Sequence, residues 1–95
     1  MYAISFHENF EIKLKKIKDK KSKENIIKKI EDIADTLEFK PNHYKNLRSP
    51  LQDYKRVHVN VSYVLVFRVD NEKKEVIFVD YEHHKKVYKN KINLN

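Results

Sequence analysis

Two short segments place imidazole rings beside basic side chains, a combination suited to chemistry on phosphate esters. In the first segment, Lys55 precedes two further polar residues, Arg56 and His58. These two alternate with valines, so both would point to the same side of an extended strand. Arginine can hold a phosphate through two nitrogens, and histidine, with an ordinary pKa of about 6.5, exchanges protons near neutral pH. The alternative is a solvated strand face, which the spacing alone favours.

The second segment runs from Glu82 to Tyr88 and is rich in histidine and lysine. His84 and Tyr88 are four residues apart, so they would share one face of a helical turn. The histidine could act as an acid or a base there, and the tyrosine could stack on a nucleobase. The alternative is a basic tail that merely docks on the domain. Adjacent histidines also suggest a metal site, but no Cys or carboxylate set stands at ligand spacing, so we expect no metal.

A third group lies in the loop before these strands, where Lys45 and Arg48 are interleaved with the rings of His43 and Tyr44. Basic residues mixed with rings suit single-stranded RNA. Loop residues are also polar for solvation alone, so this signal is weak by itself. The sequence contains no Ser/His/Asp order, HExxH motif or paired carboxylates that would indicate a protease or a glycosidase.

The composition limits the class of protein. A chain of 95 residues has room for one hydrophobic core, so we expect a single domain over residues 1–95. Lys and Arg outnumber acidic residues by 21 to 14, which gives a formal charge of +7. Such a charge attracts nucleic acid, an acidic protein or an anionic membrane, unless the lysines only reflect a hot or salt-rich habitat. The absence of Gly excludes phosphate loops and dinucleotide fingerprints, and the absence of Cys excludes disulfides and thiolate chemistry.

No segment has the character of an export signal or a membrane span. The first six residues alternate between apolar and small or polar side chains, and no apolar run approaches the roughly 20 residues that cross a bilayer. We therefore expect a cytoplasmic protein without a membrane partner.

The hydrophobic pattern predicts a sheet with a helical hairpin. An alternating strand over residues 2–6 precedes a helix over 9–18 and a second helix over 23–37, for which Ser22 is the predicted N-cap. After a loop with Pro41 and Pro50 come a half-exposed strand at 56–61, an apolar strand at 63–69, a strand at 76–79 and a basic tail at 82–88. The order βααβββ predicts an α+β fold, a mainly antiparallel sheet with the hairpin on one face and the other face available.

Four segments taken together resemble the RelE/YafQ/ParE toxin superfamily, and the resemblance extends over nearly the whole chain. The ending is the most specific of them, because it is similar to the family's His-Arg-x-x-Val-Tyr pattern. The four segments are Asn46–Arg48, Tyr54–Val59, Tyr63–Phe67 and His83–Tyr88.

The resemblance implies an activity and a set of site residues. RelE-like members cut messenger RNA in the ribosomal A site without a metal or cofactor, by attack of the 2′-hydroxyl on the adjacent phosphate, which leaves a 2′,3′-cyclic phosphate. His58 and His84 match the histidines of YafQ-like members, and Tyr88 matches the aromatic residue at the scissile nucleotide. The matched phosphate-binding positions are Arg48, Arg56 and, more loosely, Lys45, and we add their basic neighbours Lys55 and Lys85.

By this resemblance one histidine takes the 2′-hydroxyl proton and the other protonates the leaving oxygen, and which does which stays open. Two positions depart from the pattern: Val64 stands where RelE-like toxins often have Arg, and Ser62 stands where YafQ-like toxins have an acidic residue. The resemblance also implies a RelB-like antitoxin, a toxin–antitoxin hetero-oligomer, and the 70S ribosome with its messenger RNA as partners.

Two other functions fit the same sequence. A ParE-like gyrase inhibitor shares the fold but would leave His58 and His84 without a catalytic role. An RNA-binding module without chemistry needs only the basic face, and it would survive mutation of either histidine. A shared fold does not decide between these three functions.

Overall fold

In the computed structural model, which describes residues 2–87, the chain forms four strands and two helices in the predicted order βααβββ. A single 3₁₀ turn, His84–Lys86, follows the last strand. The α+β class is therefore confirmed. The strands are β1 Ala3–Phe6, β2 Lys55–Val59, β3 Tyr63–Asp70 and β4 Glu75–His83, and the helices are α1 Glu8–Lys16 and α2 Lys20–Phe39.

The sheet has the strand order β1-β4-β3-β2. Strand β3 pairs antiparallel with both β2 and β4, whereas β1 lies parallel to β4, so the sheet is mixed but mostly antiparallel. The continuous apolar run Val64–Phe67 is fully buried at the centre of β3, as expected for a strand covered on both faces. A bulge at Val79 of β4 shifts the register between the two central strands.

The main core lies between the sheet and the helical hairpin. The apolar stripe of α2 packs there with Phe10 of α1, and the ring of Phe78 contacts those of Phe10 and Phe67. The stripe consists of Ile26, Ile30, Ile33, Ala34 and Leu37. All three phenylalanines are completely buried, and each contributes about 1.5–3 kcal/mol by leaving water. The periodicity of α2 thus positions the hairpin on one face of the sheet.

The opposite face of the sheet is not bare. A second, smaller apolar cluster covers part of it and includes Leu47 of the long loop and Val87 from the end of the described chain. These two side chains dock on Val64, Val66 and Val79 of the central strands. The second cluster therefore fixes a loop and the C-terminal turn beside each other on the face that was predicted to stay available.

Several boundaries differ from the predicted ones. Helix α2 begins at Lys20 because Asp19, and not Ser22, is its N-cap. The Asp19 carboxylate accepts hydrogen bonds from the backbone N–H of Ser22, at 3.0 Å, and from its hydroxyl, at 2.6 Å. Ile27 of this helix is 44% exposed, although it is apolar. Strand β4 continues to His83, so Glu82 and His83 belong to the sheet rather than to a tail.

The two helices of residues 2–87 carry charged residues along their lengths. No helix in this part of the chain is both long enough and apolar enough to cross a membrane.

Candidate functional site

A basic groove of about 790 Å³ opens where the long loop, β2 and the 3₁₀ turn meet. Five of the eight residues proposed from the sequence line it, one or two from each of three distant segments of the chain. Two residues that the sequence reasoning gave no role, Asn46 and Leu47, complete the wall. The five predicted residues are Lys45, Arg48, Arg56, His84 and Lys85.

The loop wall of the groove is fixed by backbone and side-chain bonds to β2. The N–H of Leu47 donates to the carbonyl of Tyr54 at 2.7 Å, and Asn46 forms a bridge with Lys55. The Lys55 ammonium donates to Asn46 Oδ1 at 2.7 Å and to the carbonyl of Tyr44 at 3.0 Å. Lys55 is therefore engaged in holding the loop, and the structure does not bring it into the groove wall.

The other wall is the 3₁₀ turn, which is held at both ends. The N–H of His84 donates to the carbonyl of Ser62 at 2.9 Å, and His83 Nδ1 accepts from the N–H of Lys85 at 3.2 Å. Val87 is 1% exposed in the second apolar cluster. Ser62, which departs from the family pattern, thus contributes its backbone to the placement of His84.

His58 is not part of the groove wall, but its ring lies close to that of His84, although 26 positions separate the two residues in the chain. Their ring centroids are 6.2 Å apart, and the His84 ring stacks on that of His83 at 4.7 Å. His58 instead lines a neighbouring hollow together with Lys28 and Lys29 of α2. At this separation both imidazoles can reach atoms bonded to a single phosphorus, which is the geometry that paired acid and base catalysis requires.

The electrostatics of the site favour a neutral His84. Partial desolvation, followed by the positive charges of His83, Lys85, His58 and Arg56, lowers the pKa of His84 below its ordinary value of 6.5. The same charges attract an anionic ligand into the groove. The site therefore combines an unprotonated imidazole with several cations, an arrangement suited to phosphate chemistry.

Two predictions from the sequence concern Tyr88 and a metal ion. Tyr88, the predicted stacking residue, lies outside the described residues. Within residues 2–87, no three His, Asp or Glu side chains converge in a way that could hold a metal ion.

A comparison with protein families decides the affiliation of the chain. The family model described as the ParE toxin of the type II toxin–antitoxin system parDE matches residues 4–88. The chain belongs to this family. A Methanocaldococcus jannaschii protein named as the toxin RelE4 is 48% identical over 93 residues, which cover 96% of this toxin chain and 95% of that protein. The toxin affiliation expected from the sequence is thereby confirmed.

Solved structures share the fold of this toxin. A free mutant form of E. coli RelE superposes with a TM-score of 0.70 at 22% identity, and covers 92% of this chain and 87% of its own. The toxin in the intact E. coli RelBE toxin–antitoxin complex gives a TM-score of 0.68 at 20% identity, over 87% of this chain and 96% of that chain. The family model carries the ParE name, whereas these relatives carry the RelE name, so the toxin lies within the RelE/ParE superfamily.

Proposed function

We propose that this toxin is an endoribonuclease that cuts messenger RNA in the ribosomal A site. The observation that carries the proposal is the 6.2 Å approach of His58 and His84 beside a groove lined by Lys45, Arg48 and Arg56. Two imidazoles next to several cations supply an acid, a base and phosphate binding without a metal.

The proposed reaction transfers one proton at each end of the scissile phosphate. His84, whose pKa is lowered, is neutral at pH 7 and takes the proton of the 2′-hydroxyl as its oxygen forms a bond to phosphorus. His58 gives a proton to the 5′-oxygen as the bond between that oxygen and phosphorus breaks. The products are a 2′,3′-cyclic phosphate and a 5′-hydroxyl, while Arg48 and Arg56 stabilise the charge that grows on the phosphate oxygens. Tyr88 would stack on a base at the scissile nucleotide.

A second candidate function is inhibition of DNA gyrase, which the ParE name of the matching family favours. A gyrase inhibitor acts by binding a protein, so it has no need for two convergent histidines. The pairing of His58 with His84 is what favours the nuclease. Simple RNA binding without chemistry would use the basic groove and leave both histidines replaceable.

The proposed partners are the ribosome with its messenger RNA and a cognate antitoxin, all met in the cytoplasm. The E. coli relative forms a complex with its antitoxin, as the name of the RelBE complex states. An acidic antitoxin segment suits this toxin, because it would neutralise part of the formal charge of +7 and cover a groove with four cationic side chains.

The test is primer extension on a defined message in programmed ribosomes. The wild-type toxin should produce cuts at A-site codons, and a His58→Ala/His84→Ala variant should cut at least about 10²-fold more slowly, since general acid–base catalysis contributes 10²- to 10⁴-fold. His43→Ala is the matched control, because this exposed histidine lies outside the groove wall and should be dispensable.

Each other outcome points to a different function. Inhibition of gyrase supercoiling by wild type and double variant alike, without cuts, would support the ParE-like function. Ribosome or RNA binding without cuts by either protein would support the non-catalytic module.

A further inference from the structure

Five rings form a continuous series of contacts around one end of the sheet. Tyr81 stacks on Tyr63 with centroids 4.9 Å apart and planes at 11°, and Tyr63 meets His83 at 5.5 Å and 74°. His83 then stacks on His84, which faces His58. The series therefore links the catalytic groove with the side of the sheet that carries the helices.

At its far end the series reaches a hollow of about 400 Å³ between α1, the start of α2 and the sheet. The rings of Tyr63 and Tyr81 form one wall, and Lys16 contributes a cation to the lining. The Glu82 carboxylate also lines this hollow, and the Lys13 ammonium lies 3.3 Å from it. Lys13 divides its charge between Glu82 and Asp80, so the remaining cation of the lining is Lys16. A planar, apolar wall beside a cation matches the shape and charge of a nucleotide.

Tyr63 has more exposure than its position in β3 would lead one to expect. It is 38% exposed, whereas the next four residues of the strand, Val64–Phe67, are fully buried. Its register partners are Val59 and His83, so it occupies the end of the sheet rather than its core. The Tyr81 hydroxyl instead accepts a hydrogen bond from the side-chain amide of Asn60, so Tyr81 has a structural role. Tyr63 is therefore the ring most available to a ligand.

We propose that the Tyr63–Tyr81 pair is a second base-binding subsite, which holds a nucleobase of the RNA strand that flanks the scissile phosphate. This inference rests on the proposed ribonuclease function and adds a binding site to it. The RNA strand leaves the groove past His84 and His83, and one base packs against Tyr63 while its phosphate lies near Lys16. The subsite binds any base, because every base has a face that can stack.

The first test is cross-linking, which does not depend on cleavage. Messages carry a 2′-O-methyl group at the scissile nucleotide, which blocks attack, and 5-iodouridine at successive flanking positions. On programmed ribosomes, irradiation should join one flanking position to the peptide that contains Tyr63. Tyr63→Leu should lose this cross-link, Tyr63→Phe should keep it, and Phe39→Leu, the change of a distant ring that is 84% exposed, should leave it unaltered.

The second test measures single-turnover cleavage against toxin concentration. Tyr63→Leu should raise the half-saturating concentration about 5-fold or more, as the loss of one base stack does, with little change in the rate at saturation. Tyr63→Phe should match wild type. Lys16→Gln should produce a smaller rise and Lys20→Gln none, and these surface changes keep the test decisive if Tyr63→Leu fails to fold.

The outcomes separate the two proposals. If the wild-type toxin cleaves, and Tyr63→Leu and Lys16→Gln keep both its cross-link and its half-saturating concentration, the subsite alone is overturned. Absence of wild-type cleavage, with the Tyr63 cross-link present, overturns the nuclease and supports the subsite. Absence of both overturns both proposals.

Discussion

His84 is the residue whose surroundings bear most directly on the proposed chemistry. Its pKa is lowered by desolvation and by nearby positive charge, which includes that of Lys85. Both effects disfavour the protonated ring. An NMR titration of the His84 ring should therefore give a pKa below 6.5, and Lys85→Gln should move it back upward. A pKa at or above 6.5 in the wild-type toxin would remove the reason for assigning His84 as the base.

Arg56 is proposed to make one contact with a phosphate of the RNA. Arg56→Ala should weaken ribosome or RNA binding and reduce the slope of log affinity against log salt by about 0.7, the contribution of one contact to a single strand. Arg68→Ala offers a matched control, because Arg68 is exposed on β3 and lies outside the groove wall. Equal slopes for Arg56→Ala and wild type would mean that Arg56 only faces solvent.

The backbone of the turn between β2 and β3 is strained. Asn60 and Val61 adopt φ values of 54° and 62°, and Val61 is 94% exposed. Asn tolerates the left-handed region, but a β-branched residue does not. The turn persists because the Asn60 side chain donates to the Ser22 carbonyl at 3.0 Å and to the Tyr81 hydroxyl at 3.1 Å.

Relief of that strain should stabilise the toxin. Val61→Gly should raise the free energy of unfolding by about 1 kcal/mol, because Gly adopts positive φ at no steric cost and Val61 makes little buried contact. Urea denaturation measures the change. Val61→Ala is the control, since it shortens the side chain without supplying this freedom, and it should have a smaller effect. Equal stability of Val61→Gly and wild type would show that the turn stores no strain.

The elements were predictable to different degrees for identifiable reasons. The stripe of α2 repeats with the helical period, and the apolar run of β3 is short and rich in β-branched residues, which favours a buried strand. The start of α2 was placed too late because Asp19 and Ser22 are both good N-caps, and only the structure shows that the Asp19 carboxylate takes the role. The end of β4 was missed because its polar residues Glu82 and His83 were interpreted as a tail.

The site was predictable only in part. The pairing of His58 with His84 depends on the register of β2, β3 and β4, which no local spacing encodes, so the family resemblance supplied it. Lys55 was grouped with the phosphate binders because its charge is visible in the sequence, whereas its bonds to the loop are not. Tyr63 had no separate role in the sequence prediction, because its position opposite His83 follows from the same register.

On the scale of the whole molecule, Lys13 joins α1 to β4. Its ammonium lies 2.5 Å from Asp80 and 3.3 Å from Glu82. Burial alone would lower the pKa of Lys13, but the bonds and charges of Asp80 and Glu82 raise it above 10.5. Burial likewise opposes ionisation of Glu82, but the His83 N–H and the charges of Lys13 and Lys86 outweigh it and bring its pKa below 4.5.

These directions fix the pH dependence of stability. The Glu82 contribution is present above pH 4.5 and is lost as the pH falls through its lowered pKa, and the Lys13 contribution is present below pH 10.5 and lost above its raised pKa. Lys13→Met should destabilise the toxin by about 1–3 kcal/mol at pH 7, because Asp80 and Glu82 lose their shared partner. The part of this difference that comes from Glu82 should be lost as the pH falls below 4.5 through the lowered pKa of Glu82. Thermal melts between pH 3 and 7 measure it, with exposed Lys15→Met as the control. A difference that stays constant with pH would contradict the ionic origin.

The parallel pairing of β1 with β4 has a consequence for biosynthesis. Residues 3–6 are made well before their partners, residues 75–78, and the groove is complete only when His84 and Lys85 have also emerged. Such non-local pairing forms late, because the intervening chain must be closed first. A nascent chain of this toxin therefore carries no assembled groove until His84 and Lys85 have been made, and the ribonuclease activity proposed above cannot begin before then.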